Sequence, residues 1–445
     1  MLRACPWLVG LVALAFASAL YGLNSYILMF TLGLGAAATF LAYRHNEAAS
    51  ALWLLVTGCT LEMWLGDLIG PTAYQPIIAI VKAVGLGLAL LAALRFGARL
   101  DPFNPTFAYA AIFAAGLLHG LHPGLTVGES LRSFAGSAAP FAFSFSRLSS
   151  RWGDRVIRMT AWTAVVDVLV GLVFDAFGIR PLFVDAGGER LAALSHPAFL
   201  AGFSLAGLYA CLIELFRTGA SRWLVLLFMN LAILLLTGAR APTAYGLAVL
   251  LLALVLAPSE AFPRTRRVGL LLAIGACVPA VILLAGDLTE LRLFNAFTSY
   301  AENLSGRGEL WPAFEKAAAQ SPWLGWGLGA GNTIIPPTSD IARLMHTWAA
   351  HNEYLRMEVE GGQLGRALLI ALIALWCVRN SACLPRSDRI IIRLVFIAFA
   401  CHAFTDNVLI STSASVLFAF VSAVFARGRL EAESQLGDEP IEIPA

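Results

Sequence analysis

Charge is what this sequence most lacks. Asp, Glu, Lys and Arg make up 13% of its 445 residues, about half the share of a soluble globular domain. That rules out a soluble enzyme, a disordered tail protein and a nucleic-acid binder. Lysine is nearly absent: of 30 basic residues only Lys82 and Lys316 are lysines. The seven cysteines form no C-x-x-C pair, and most sit inside apolar runs. They read as small core residues, not as a zinc site or a disulfide framework. No Walker A sequence occurs, and no His, Asp or Glu cluster has metal-ligand spacing, so neither cofactor nor metal is expected. The run from Gly325 to Gly331, with glycine at every second position, has no strand before it and is not a dinucleotide fingerprint. Loop geometry, or close backbone approach to a substrate, accounts for it better. The apolar runs do not alternate, which excludes a transmembrane barrel. No internal repeat is present.

What is there instead is hydrophobic: 59% of the residues, with a mean hydropathy of +0.77. An all-α, polytopic integral membrane protein follows, built from runs of about 20 apolar residues. Candidate spans are 7–21, 24–43, 49–66, 76–94, 105–120, 131–147, 157–177, 196–216, 221–237, 242–258, 268–285, 355–378, 390–405 and 407–426. Two tight hairpins, 221–258 and 390–426, leave the total at about 12–14 transmembrane helices. With the N-terminus inside, 19 basic residues fall on inner segments and 8 on outer ones. That asymmetry predicts both termini in the cytoplasm. The first span resembles a signal peptide, with Arg3, an apolar run and Ala17-Ser18-Ala19. An uncleaved helix is the simpler reading. Three regions result: N-terminal helices over 1–184, a second membrane region over 185–430, and an acidic cytoplasmic tail over 431–445, read as disordered. The second region contains a long outer loop, 286–352, too long for a passive connector. Within it, 309–320 reads as a helix with Leu310, Phe314 and Ala317 on one face.

Charges near spans need a reason, because each costs about 2.5–3.5 kcal/mol at a helix centre on insertion scales. Arg240 lies in the short turn Thr237-Gly238-Ala239-Arg240-Ala241-Pro242 on the outer side. It is either an interfacial arginine that snorkels to water or a functional one. Arg190, before His196-Pro197, and Arg307, at the start of the loop helix, are each ordinary loop charges when taken alone. Together the three place guanidinium forks on one face, and such forks pair bidentately with phosphate oxygens. They suit an anionic, lipid-linked substrate. His351-Asn352 stands where the chain re-enters the membrane, and histidine is the usual general base near neutral pH. A structural interfacial histidine is the alternative, and His346 is a nearby rival. His119, His122, His196 and His402 read as helix-end or packing residues. Glu62, Asp67 and Lys82 either line a cavity or, preferably, pair for stability.

His351-Asn352, nine residues, Gly362, two residues and Gly365 reproduce an H-N-x9-G-x-x-G pattern. The pattern resembles the signature of the O-antigen ligase family, within the ligase/polymerase superfamily. Ser305-Gly306-Arg307 through Trp311, Pro322 to Gly331, and Thr237-Gly238-Ala239-Arg240 also resemble parts of that family. Arg190 with His196-Pro197, and Asp406-Asn407, match more loosely. The resemblance covers roughly 185–410. It implies a metal-independent, inverting glycosyltransferase of the membrane-helical (GT-C) type in the bacterial inner membrane, with its active site on the periplasmic side and no cofactor. The implied donor is a glycan on undecaprenyl pyrophosphate. The acceptor is a sugar hydroxyl, on lipid A-core for a ligase or on another lipid-linked glycan for a polymerase. His351 would activate the acceptor hydroxyl. Arg240 and Arg307, with Arg190 as a third, would hold the pyrophosphate. Asn352 would orient the histidine, and Gly362 and Gly365 would allow close helix packing behind it. One departure is the span count, since family ligases usually have about twelve.

Two other classes compete. A transporter or flippase of lipid-linked glycans would suit fourteen spans, but should show repeats and midplane polar groups. A scaffold without chemistry leaves the outer-face residues unexplained.

Overall fold

The computed structural model describes residues 25–60, 63–65, 69–70, 74–185, 188–284, 307–345 and 347–437. The first candidate span, 7–21, and the loop segment 285–306 lie outside these residues, as do Glu62, Asp67 and His346. The described chain is almost wholly helical. In order the helices are α1 (Ser25–Arg44), α2 (Asn46–Gly58), α3 (Tyr74–Phe96), α4 (Thr106–His119), α5 (Val127–Ala138) and α6 (Ser150–Ala176). After a small hairpin, β1 (Phe183–Asp185) with β2 (Glu189–Leu191), come α7 (Pro197–Thr218), α8 (Ser221–Leu236), α9 (Arg240–Leu256) and α10 (Arg264–Leu284). The loop helices are α11 (Arg307–Gln320) and α12 (Asp340–Met345). The chain then closes with α13 (Glu353–Ser381), α14 (Arg386–Ala403) and α15 (Thr412–Gly437).

Five of these are long and apolar enough to cross a membrane: Pro76–Phe96, Ser150–Ala176, Pro197–Thr218, Glu353–Ser381 and Thr412–Gln435. Shorter apolar helices are Thr106–His119, Ser221–Leu236 and Arg240–Leu256. α7 and α15 are buried on nearly every face and form the centre, as a helix apolar all round should be. α3 and α13 keep most of their apolar surface outward, with Leu90, Leu94 and Leu364 exposed, which suits contact with lipid tails. Polar groups stitch the centre. Asn230 of α8 donates to the Ala161 carbonyl of α6 at 2.9 Å, and Ser204 of α7 donates to the Asn230 carbonyl at 2.6 Å. In a bilayer such bonds join helices that gain little from hydrophobicity alone.

Two expectations change. The candidate span 131–147 is not continuous: α5 ends at Ala138 and a 3-10 segment, Ala139–Phe145, follows, with Pro140 at its start. Phe141 and Phe143 there are fully buried, so the break turns the chain into the core. The acidic tail is also helical as far as Gly437, because Glu431 is ion-paired with Arg217 at the end of α7.

Candidate functional site

The long loop returns to the membrane through its backbone. α13 is broken at Gly362, whose φ of 60° and ψ of −167° are not helical. The freed amides and carbonyls pair with the segment after α11. Trp326 N–H donates to Val359 O at 2.9 Å and Gly327 N–H to Glu360 O at 2.9 Å, while Gln363 N–H donates to Pro322 O at 2.8 Å. A side chain at Gly362 would collide with the Trp323 carbonyl. Gly362 therefore serves a chain crossing and a left-handed φ, and not the helix packing expected of it. Gly365 does face a helix: a Cβ there would sit 2.7 Å from Ile112 of α4. The alternating glycines 325–331 approach the protein's own chain, not open space: Gly327 faces Leu121 and Gly116 of α4, Gly329 faces Ser133 of α5, and the other two face α13. Gly325 lies against the backbone of residues 360–362, and Gly331 against Arg356 and Glu360.

α11 docks by Trp311, whose indole N–H donates to the Ala350 carbonyl at 2.9 Å. Arg307 opens α11, one turn ahead of Trp311 on the same helix face; its side chain lies outside what the structure describes. His351 follows Ala350 directly and has φ 47°. A non-glycine residue rarely adopts this conformation, which costs roughly 1–2 kcal/mol. Asn352 does not touch the imidazole. It is the N-cap of α13, its side-chain oxygen accepting from Tyr354 N–H and Leu355 N–H, each at 3.1 Å. That is the usual work of Asn before a helix, so Asn352 fixes the chain beside the histidine.

Two other residues orient the ring. His351 Nδ1 lies 2.9 Å from Asp406 Oδ1, and Nε2 lies 3.1 Å from the Thr347 hydroxyl. Asp406 sits between α14 and α15 and is half-buried. Burial raises its carboxyl. The His351 hydrogen bond and charge, the His402 charge and the Asn407 N–H outweigh this and hold it at about 2. Asp406 is thus a carboxylate at neutral pH, which assigns the Nδ1 proton to His351 and leaves Nε2 as the acceptor atom.

The segment around Asp406 is held on several sides. Leu409 N–H donates to Glu353 Oε1 at 2.9 Å. Glu353 is held in turn by Arg356 at 2.6 and 2.9 Å, and Arg356 also bonds Glu360 at 2.8 Å. All three charged side chains are buried, a ladder on one face of α13 at i, i+3 and i+7 spacing. From the N-terminal region, Lys82 of α3 donates to the Ile410 carbonyl at 2.8 Å. Lys82 was expected to pair with Glu62, Asp67 or arginines; Glu62 and Asp67 lie outside the described residues, and the Ile410 carbonyl is one of its partners.

Arg190 and Arg240 are linked through the turn before α9. Arg190, on β2, is buried and donates through Nε to the Thr237 carbonyl at 2.7 Å. It thereby holds the turn that carries Arg240. Arg240 opens α9, and its buried Nε makes no hydrogen bond among the described residues. His196 caps α7, its Nδ1 accepting from Ala198 N–H at 3.2 Å. The crowding around its ring, then the charge of Arg190, lower its pKa, with Arg180 and His351 acting in the same sense and Asp406 against them. Arg190, Asp406 and His351 therefore all lie within electrostatic reach of His196. Sequence reasoning took His196 as a helix-end residue, which it is, and gave Asp406 only a loose match. Thr347 it missed, since nothing in the sequence marks that hydroxyl. The available signal for Asp406 was a lone acid between two apolar runs.

Neither the curated proteins nor the solved structures contain a match to this chain. Residues 224–370, about a third of it, match the family described as O-antigen ligase. The matched stretch includes Arg240, Arg307, His351, Asn352, Gly362 and Gly365, and stops short of Arg190 and Asp406. The chain thus carries, in a helical membrane frame, a segment similar to the O-antigen ligase family.

Proposed function

We propose that the protein transfers a glycan from undecaprenyl pyrophosphate to a sugar hydroxyl on the periplasmic face, by a metal-independent, inverting mechanism on a GT-C-type frame. The acceptor is lipid A-core in the ligase form of this reading and a second lipid-linked glycan in the polymerase form. The observation that carries it is the His351 arrangement: Nδ1–H toward Asp406 and Nε2 toward the Thr347 hydroxyl. A hydroxyl already stands where an acceptor hydroxyl would be deprotonated. The acceptor O–H gives its proton to Nε2 as the oxygen attacks the anomeric carbon. The bond from that carbon to pyrophosphate breaks, and the leaving group departs with the electron pair. Asp406 stabilises the imidazolium so formed, as in other base–orienter pairs. Arg240 meets the growing negative charge with an Nε–H that makes no hydrogen bond among the described residues. Arg307 supports it from α11, and Arg190 fixes the Arg240 turn. Attack opposite the leaving group inverts the anomeric centre.

The test uses purified full-length protein, lipid-linked donor and acceptor. His351→Ala is expected to lose about 10²–10⁴-fold in transfer and keep donor binding. Loss of donor binding as well would move His351 to the donor site. Abolition of wild-type transfer by EDTA would overturn the metal-independent mechanism.

A further inference from the structure

At the end of α13 remote from His351, about 40 Å along that helix, two guanidinium groups converge on one neutral atom. Arg99 Nη2 lies 3.4 Å and Arg429 Nη1 3.1 Å from Asn380 Oδ1. Asn380 is buried and held in place: its amide nitrogen donates to Asp101 Oδ2 at 3.3 Å and to the Trp376 carbonyl at 3.0 Å. Asp101 is itself buried and accepts from the Trp376 indole at 2.8 Å. The carboxylate thus faces inward and the amide oxygen faces the arginines. Arg99 Nη1 and Arg389 Nε are both buried with no hydrogen-bond partner among the described residues. Arg99, Arg389 and Arg429 all lie close enough to the Cys383 thiol to act on it electrostatically.

This crowding is not the general habit of that end of the bundle. On the other side of α15, Arg427 is paired with Glu214, and Arg217 with Asp388 at 2.8 Å and with Glu431. Arg95 has Glu47 at 3.3 Å. Arg99 and Arg429 instead share an amide oxygen, with buried Asp101 and Glu433 as the carboxylates whose charges reach Arg429. Leu100, 75% exposed, and Leu430, 38% exposed, flank them with apolar surface.

We propose that this cleft, between the 97–101 segment, the turn after α13 and the end of α15, binds a phosphate group, namely that of an anionic phospholipid headgroup. A phosphodiester would bridge Arg99 and Arg429, satisfy the orphaned N–H groups and relieve the repulsion between like charges. Its acyl chains would run along Leu100 and Leu430 into the bilayer. Basic pockets between helices at the cytoplasmic surface are suited to such headgroups. The site is separate from the transfer centre and does not depend on the reaction proposed there.

Native mass spectrometry of the full-length protein, released from vesicles of phosphatidylglycerol and phosphatidylcholine, tests this. Retention of phosphatidylglycerol over phosphatidylcholine is expected, falling roughly tenfold in Arg99→Gln/Arg429→Gln. Arg151→Gln/Arg155→Gln removes the same charge from two exposed arginines at the same end and should leave retention unchanged. Arg99→Lys/Arg429→Lys, which keeps the charge and loses the fork, should fall between, and thermal unfolding checks that each variant is folded. Equal loss in both glutamine pairs would reduce the effect to net charge and overturn the site. No preference for the anionic lipid would do the same. Displacement of the lipid by excess inorganic phosphate would overturn the lipid assignment in favour of a soluble phosphate; persistence in that excess supports it.

Discussion

Two clusters of charge in the helix bundle, one around Arg217 and one around His351, are built differently. Around Arg217 and Arg427, guanidinium groups are matched to Asp388, Glu431 and Glu214 across three helices. Around His351, Arg240 Nε makes no hydrogen bond among the described residues, His351 holds a strained backbone, and its Nε2 meets the Thr347 hydroxyl. Paired charge holds helices together and is chemically spent. Charge left incompletely satisfied costs stability and remains available to a substrate. The proposed function draws on the second kind of charge, around His351.

The sharpest way to break that contrast is Asp406→Asn. An amide in place of the carboxylate no longer fixes the Nδ1 proton, and transfer should fall by about 10²-fold or more with normal insertion and folding. Wild-type rates in Asp406→Asn would sink the proposed base. Because Asp406 titrates well below the ordinary carboxylate range, its stabilising contribution is present above the usual Asp pKa and is lost only as pH falls through about 2. Arg240→Lys comes next: charge stays, the fork goes, and transfer should drop roughly tenfold or more while unfolding is unaltered. In the other cluster the expectation reverses. Arg217→Ala leaves Asp388 buried beside Arg427 at 4.0 Å only, and should cost about 2–3 kcal/mol in detergent unfolding with transfer per folded molecule intact. A loss of transfer instead would mean that the two clusters are coupled. The smallest effect belongs to His196. Its imidazole titrates below the ordinary range, so the folded state resists protonation and stability should decline as pH falls below about 6.5. His196→Asn keeps a cap and should flatten that decline. Solvent exposure of the ring limits the change to less than about 1 kcal/mol, and an unchanged slope would assign the decline elsewhere.

Helices were legible in the sequence because a bilayer writes them as long apolar runs, and α6, α7 and α13 stand where hydropathy places them. The break at 139–145 was not legible, since Phe141 and Phe143 are as apolar as any membrane-facing residue. His351 and Arg240 stood out as polar groups at helix ends. Asp406, 55 residues beyond His351, did not, because only the folded return of α14 beside α13 brings the two together. The Glu353–Arg356–Glu360 ladder was hidden for a related reason: its spacing suits a solvated helix face equally well.

The joint between the outer loop and α13 is made by main-chain atoms on both sides. Only Gly325, Gly327 and Gly362 are bound there by their left-handed φ values. Exposed positions on either side, such as Glu315, Lys316, Pro336 and Leu344, therefore carry few obligations to that joint, unlike Trp311, Thr347 and the buried Leu310 and Phe314. Such a clasp lets the surface over the pocket be rewritten for a different sugar while its mounting stays the same. Substitution at those exposed positions, with the three glycines, Arg307, Trp311, Thr347 and everything from α13 onward retained, is the route this architecture leaves open for retargeting the proposed acceptor.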